Sequence, residues 1–225
     1  MAVLSRRKAY TRMASAGLKV EEDVLESPRW APDEDASAAL DGWRAALRAD
    51  MGRTMDDPRW PRALAAVGVV HLAAFIVCQV LAEPVSRRDL RYLAIWFVEL
   101  VAVFATMRLL AGRHWIRRSP AVNLVAKLWT TFLILSFNVV SLNSLVGIEN
   151  PWFKAVWGTL STFLFASMAW LFTPLFFIPA VQMWATGMLM AQFDPYAYAI
   201  YGVSWCLALF GLAAGVRRAH PLPRR

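Results

Sequence analysis

The chain has 225 residues, 58% of them hydrophobic, a mean hydropathy of +0.43 and a formal net charge of +8. Soluble domains hold roughly 45–50% apolar residues, so an ordinary water-soluble globule is excluded. Residues 1–62 carry 11 of the 24 Lys and Arg and 11 of the 16 Asp and Glu, so the whole basic surplus lies in the hydrophobic remainder. There it fits flanks facing anionic lipid, not the basic, aromatic-interleaved stripe that nucleic acid requires.

The start, MAVLSRRKAYTRMASAGLKV, has basic residues but no uninterrupted apolar run behind them, so it is not expected to be a secretory signal. Residues 20–36, VEEDVLESPRWAPDEDA, are acidic and broken by Pro28 and Pro32, which predicts a linker. A short amphipathic helix is expected over about 36–51. Leu40, Trp43, Leu47 and Met51 recur there at helical spacing and form a candidate docking face for a cytoplasmic protein, lipid headgroups or the bundle itself. The tripeptide Pro-Arg-Trp at 28–30 and 58–60 is too short to count as a repeat.

Apolar segments follow at 63–82, 93–111, 124–147, 153–193 and 196–216. A helical span needs about 20 residues. The stretch 153–193 is too long for one span, and Pro174 and Pro179 lie near its middle. It is therefore either two spans in a hairpin, 153–173 and 175–193, or one span with a re-entrant helix. Basic clusters before the first segment, between the second and third, and after the last would all be cytoplasmic by the positive-inside rule. That arrangement needs an even number of crossings. Six are preferred to five, in the plasma (inner) membrane with both termini cytoplasmic. The expected organisation is a cytoplasmic arm at 1–62, a transmembrane bundle at 63–216 and a basic tail at 217–225. The fold class is all-α. Trp60, Tyr92, Trp96, Trp115, Trp129, Trp152, Trp157, Tyr196 and Tyr198 fall at or near segment ends, as in an interfacial belt.

Polar groups inside the apolar segments carry the functional argument. The third segment holds Lys127, Thr130, Thr131, Ser136, Asn138, Ser141, Asn143 and Ser144. Lys127, Thr131, Asn138 and Ser141 share one face by helical spacing, and that face is expected to look into the bundle. Glu99, His71, Asn138 and Ser161 fall at depths of roughly 9–16 Å from the outer ends of their segments at about 1.5 Å per residue. With Thr131 and Ser141 they make a candidate intramembrane polar site. Glu99 would be its charged element and His71 a proton partner, since an intramembrane carboxylate suggests function by default. The alternative is structural: interhelical hydrogen bonds from Asn, Ser and Thr hold many bundles together. Gln182 would satisfy carbonyls left free near Pro179, and His114 would contact headgroups.

Cys78 and Cys206 are isolated, and the three His are far apart, so neither a disulfide framework nor a metal or other cofactor site is expected. The sequence contains no G-x-S-x-G, H-E-x-x-H or Walker A string, and no enzymatic activity is expected.

The strings AEP at 82–84, RDLRY at 88–92, ILSFNVVSLNSL at 134–145, WFKAVW at 152–157, FIPAVQ at 177–182 and YGVSW at 201–205 carry a resemblance. Over roughly 57–216 the chain resembles the multi-span C-terminal membrane region of planctomycete-type bacterial serine/threonine protein kinase-like proteins. In those proteins a cytoplasmic kinase domain precedes the membrane part. This chain has no glycine-rich phosphate loop, V-A-I-K, H-R-D or D-F-G, so no kinase residue carries over. The resemblance implies a membrane module alone. Two functions follow from the sequence: a non-catalytic anchoring, sensing or partner-docking module, or a small ion or solute channel or transporter around Glu99. Oligomeric state is not indicated.

Overall fold

Seven α-helices and three single-turn 3-10 segments make up most of the described residues, 34–81, 91–145 and 153–219, of the computed structural model; no strand occurs among them. The helices are α1 (Glu34–Met55), α2 (Arg59–Val80), α3 (Arg91–Leu110), α4 (Pro120–Leu145), α5 (Phe153–Leu171), α6 (Phe177–Gln192) and α7 (Ala197–Ala219). The chain divides into two units, Met1–Leu40 and Asp41–Arg225. Only helical residues 34–40 of the first are described. The expected linker at 20–36 lies almost wholly outside the described residues, as do the basic C-terminal residues 220–225.

Five segments are long and apolar enough to cross a membrane: Arg59–Val80, Arg91–Leu110, Pro120–Leu142, Pro174–Gln192 and Asp194–Gly215. This is an all-α polytopic bundle with the composition of a membrane protein. α5 is not among the five. Its 19 residues include Lys154 and several Ser and Thr; Ser161, Leu164, Phe165 and Met168 are buried on one side, while Phe163 and Trp170 are exposed on the other.

Local chemistry sets the breaks. Gly112 closes α3 at φ 106, a left-handed conformation that favours glycine after a helix end. Ser119 opens α4: its Oγ accepts the Val122 N–H at 3.1 Å, meeting one of the donors a helix start leaves free. The long stretch 153–193 is two helices. They are joined through the turn Pro174–Phe176 and packed along each other as a hairpin, despite the absence of charge at the turn. Pro179 sits in the first turn of α6, where a missing N–H costs no intrahelical bond.

Packing of residues 59–219 runs as an open ring. α4 packs on α5, α5 on α6, α6 on α7, α7 on α2 and α2 on α3. Among the described residues, α3 and α4 make no substantial direct contact, which leaves a gap between the ends of the ring. Glycines set the closest approaches. A Cβ on Gly158 of α5 would meet Gly187 Cα of α6 at 2.5 Å. One on Gly202 of α7 would meet Phe75 Cβ of α2 at 2.7 Å. Small residues let membrane helices come this close, and close approach gives the dispersion contact that replaces hydrophobic drive in lipid.

The expected helix at 36–51 extends to Glu34–Met55. Leu47 and Met51 are buried against the core. Asp50 Oδ2 accepts the Ala121 N–H at 3.0 Å, placing a carboxylate at the positive N-terminus of α4. Arg118 pairs with Asp57 at 3.1 Å beside this joint.

Candidate functional site

His71 lies mid-way along α2 and Glu99 mid-way along α3. The packing of α2 on α3 brings their side chains together. His71 Nδ1 is hydrogen-bonded to Glu99 Oε1, and the residues are 9% and 8% exposed. A lone carboxylate at this depth is costly, and pairing it with an imidazole inside the bundle reduces that cost. His71 is stacked on Trp129 of α4, with ring centroids 5.8 Å apart and planes at 16°. On α7, Trp205 lies 5.3 Å away at 36°.

The pair borders a cavity of about 80 Å³ in the gap between α3 and α4. α3 contributes Trp96, Glu99 and Val103; α4 contributes Trp129, Ser136 and Val140; α2, α5 and α7 close the back with Phe75, Trp157 and Tyr201. A single water needs about 10–15 Å³ of such space, so several waters or one small molecule fit.

Among the described residues, five buried side-chain polar atoms lack a partner, and four of them belong to this cavity's walls: His71 Nε2, Trp96 Nε1, Ser136 Oγ and Trp157 Nε1. The Cys78 thiol lies near Trp96, but a thiol is a weak acceptor and leaves the indole N–H poorly met. All four atoms are fully buried and out of reach of water, so it is the ring faces and apolar side chains of these residues that line the space.

The structure brings together part of the sequence-predicted site. Glu99 and His71 are in contact. Ser161, fully buried on α5, shares a hydrogen bond of 2.7 Å with the Tyr201 hydroxyl, and Tyr201 lines the same cavity. The other three point elsewhere. Thr131, Asn138 and Ser141 are exposed, as is Lys127, so the expected inward face of the third segment turns outward. The physical reason is local. Thr130 and Thr131 donate their hydroxyls to the carbonyls of Ala126 and Lys127 one turn back, at 2.8 and 3.1 Å, and need no neighbouring helix. The inward face of α4 is instead Trp129, Phe132, Ser136 and Val140.

Gln182 does not serve the Pro179 turn. Its Nε2 donates to the Ser204 carbonyl of α7 at 2.8 Å, and Thr186 donates to Ser204 Oγ. His114 is exposed in the loop after α3, and the side chains of Asn143 and Ser144 lie outside the described residues. The docking face is split. Leu47 and Met51 are buried, while Leu40 and Trp43 are 45% and 47% exposed.

Trp96, Trp157 and Ser136 are wall residues that sequence reasoning misses. Their nearness to segment ends assigns the two tryptophans to the interfacial belt, as it does Trp129, which instead stacks on His71 at the cavity wall. Yet Trp96 lies four residues beyond Tyr92, and Trp157 four beyond Phe153. Over four residues a helix gains about 6 Å of depth and makes a full turn, enough to carry a ring from the rim to an inner wall. No grouping of His, Cys, Asp and Glu among the described residues could hold a metal ion. Comparisons with protein-family models, curated proteins and solved structures find no match for this chain.

Proposed function

We propose that the chain is a multi-pass membrane protein that binds a small polar solute or ion inside its helix bundle and lets it pass, with Glu99 and His71 as the charged centre. The observation that carries this is the buried His71–Glu99 pair, an imidazole and a carboxylate in contact mid-way along two spanning helices and bordering a cavity between α3 and α4. The test is solute-induced shrinkage and reswelling of proteoliposomes, read by light scattering, with urea, glycerol, methylammonium and formate as probes. At least one probe should enter faster than into protein-free vesicles. Glu99→Gln should abolish the difference while inserting at wild-type levels. Equal rates for every probe with and without protein would end this reading.

The basic clusters support a plasma (inner) membrane location with six crossings and both termini cytoplasmic. Reporter fusions after Arg225 should be active only as cytoplasmic reporters.

One observation favours a second role, as a partner-docking module. Trp43 stands 47% exposed on a helix that Leu47 and Met51 hold against the bundle. Large exposed aromatics are common anchors of protein contacts. Trp43→Ala should then impair the cellular phenotype of the protein while leaving vesicle permeation unchanged.

A further inference from the structure

We infer that the connection between α3 and α4 holds one anionic glycerophospholipid, its phosphate seated among arginines at the edge of the bilayer and its acyl chains lying on the exposed apolar side chains at the end of α3. This goes beyond the solute-passage reading and does not depend on it.

The local fold builds the recess. The apolar run of α3 ends at Leu110 and that of α4 starts at Pro120, so residues 111–119 turn at headgroup level. Gly112, in its left-handed conformation, turns the chain back, and the single 3-10 turn Trp115–Arg117 follows. A hollow of about 270 Å³ opens there, lined by Arg59, Arg113, His114, Trp115, Arg117 and Arg118. The Trp115 ring is held edge-on to the buried Trp60, with centroids 6.4 Å apart, which fixes the turn against the start of α2.

The charge of the hollow selects its ligand. Four guanidiniums line it and no carboxylate does. Arginine keeps its charge throughout the physiological range. Asp57, outside the hollow, is shared between Arg118 at 3.1 Å and Arg59 at 3.9 Å. Asp50 is taken by the Ala121 N–H and by Arg53. Among the described residues no carboxylate pairs with Arg113 or Arg117. Like charges brought together around one space repel unless an anion stands between them. A guanidinium fork matches phosphate oxygens two at a time, and His114 adds an imidazole N–H donor.

Depth and neighbouring surface identify that phosphate as a lipid's. Basic recesses beside spanning helices meet anionic headgroups at this level of the bilayer. The Trp115 ring also touches Phe104, with centroids 6.3 Å apart, and Phe104, Leu109 and Leu110 are exposed on α3. An apolar strip therefore continues from the arginines toward the hydrocarbon, where acyl chains would lie. A soluble phosphate would use the arginines alone. A choline headgroup would bring its own cation against them. The seated phosphate would join the start of α2, the loop after α3 and the approach to α4, and α3 and α4 make no substantial direct contact of their own.

The experiment titrates the purified full chain, in a neutral detergent, with phosphatidylglycerol, phosphatidylcholine, glycerol 3-phosphate and inorganic phosphate. Native mass spectrometry counts retained lipid, and tryptophan fluorescence gives affinity. Expected are one phosphatidylglycerol per chain, phosphatidylcholine weaker by about tenfold or more, and no saturation by either water-soluble phosphate over the same concentrations. Arg113→Gln and Arg117→Gln should each weaken phosphatidylglycerol binding by about fivefold, the worth of one basic residue near a lipid surface. Arg108→Gln, exposed in the last turn of α3, and Lys127→Gln, exposed on α4, remove the same charge outside the hollow and should leave affinity unchanged. Melting in lipid-free detergent checks that the variants fold, and the comparison of ligands on the unaltered protein stands whatever the variants do. Three results would overturn the inference: equal affinity for the two lipids, saturation by a soluble phosphate as tight as by phosphatidylglycerol, or a loss for Arg108→Gln as large as for Arg113→Gln, which would reduce the site to diffuse basic charge. None of the three bears on permeation in vesicles.

Discussion

The His71–Glu99 pair is the most consequential contact between two side chains in this protein. Neither residue is stable alone at its depth: each would face apolar walls and indole rings with an unmet polar group or charge. Removing one partner of a buried pair typically costs about 3–5 kcal/mol, while replacing both by apolar groups is often close to neutral. His71→Leu and Glu99→Leu should therefore each lower the detergent melting temperature strongly. The double variant should recover much of the stability while losing any solute passage. Additive losses in the double variant would mean the pair does not act as a unit. Asn138 makes the opposite case. It is exposed on α4 and has no side-chain hydrogen bond among the described residues, so Asn138→Leu should leave stability unchanged or raise it, measured by the same melt. Both residues look alike in the sequence, as polar groups inside apolar runs. The expense of burying a carboxylate tells correctly that Glu99 must find a partner. Asn, Ser and Thr carry a weaker constraint, because a hydroxyl can return to its own helix, as Thr131 does with Lys127. Composition is silent on which option a given side chain takes.

At the scale of elements, hydrophobic runs tell where helices lie because lipid leaves the backbone no alternative. They do not tell which helices touch. That is decided by small residues, whose partners are distant in sequence: Gly158 with Gly187, and Gly202 with Phe75. A methyl group on Gly158 would have to push α5 and α6 apart along their whole contact. Gly158→Ala should destabilise the bundle by about 1–3 kcal/mol, the usual cost of overpacking. Gly211→Ala, with nothing within 4 Å, should be neutral or stabilising, since alanine favours helix by up to about 1 kcal/mol. Unfolding in mixed detergent micelles separates the two. The joint of α1 with α4 follows a different rule, that of charge at a helix start. Burial pulls the Asp50 carboxyl upward, but the Ala121 N–H, Ser119 and Arg53 outweigh it, and the net displacement is below its ordinary 3.8. A depressed carboxyl contributes stability that is present above the ordinary value and lost as pH falls through the folded one. The hydrogen-exchange protection of residues 41–55, taken relative to the intrinsic rate at each pH, should therefore fall below about pH 4 compared with about pH 6. Asp50→Ala should show low protection at both. An α1 that stays protected well below the carboxylate range would show that Leu47 and Met51 hold it without the carboxylate.

At the scale of the whole bundle, the ring of six helices has one loose end. α2 and α7 form its most closely packed pair, and nearly half of α7's apolar stretch is buried, against none of α4's. α4 is held by α5, by its stacking of Trp129 on His71 and Trp205, and by the cap from Asp50. It is also the wall that carries Ser136 and faces Glu99 across the cavity. Trp129 and Trp205 stand between that cavity and a second, apolar one of about 330 Å³ lined by Met51, Leu164 and Met168. The least anchored helix is thus the door of the polar site, and its indole divides that site from the apolar space. Helices with little buried surface open first, since the cost of local opening grows with the packing that must be given up. Amides of residues 128–140 should therefore exchange well before those of residues 197–213 in nanodiscs, even though both segments are helical. A ligand bridging α3 and α4 should slow the first set and leave the second unchanged. If α7 exchanged first, the ring would be opening at its most closely packed seam. Entry between α3 and α4 would then have to be abandoned, even if the His71–Glu99 site itself stood.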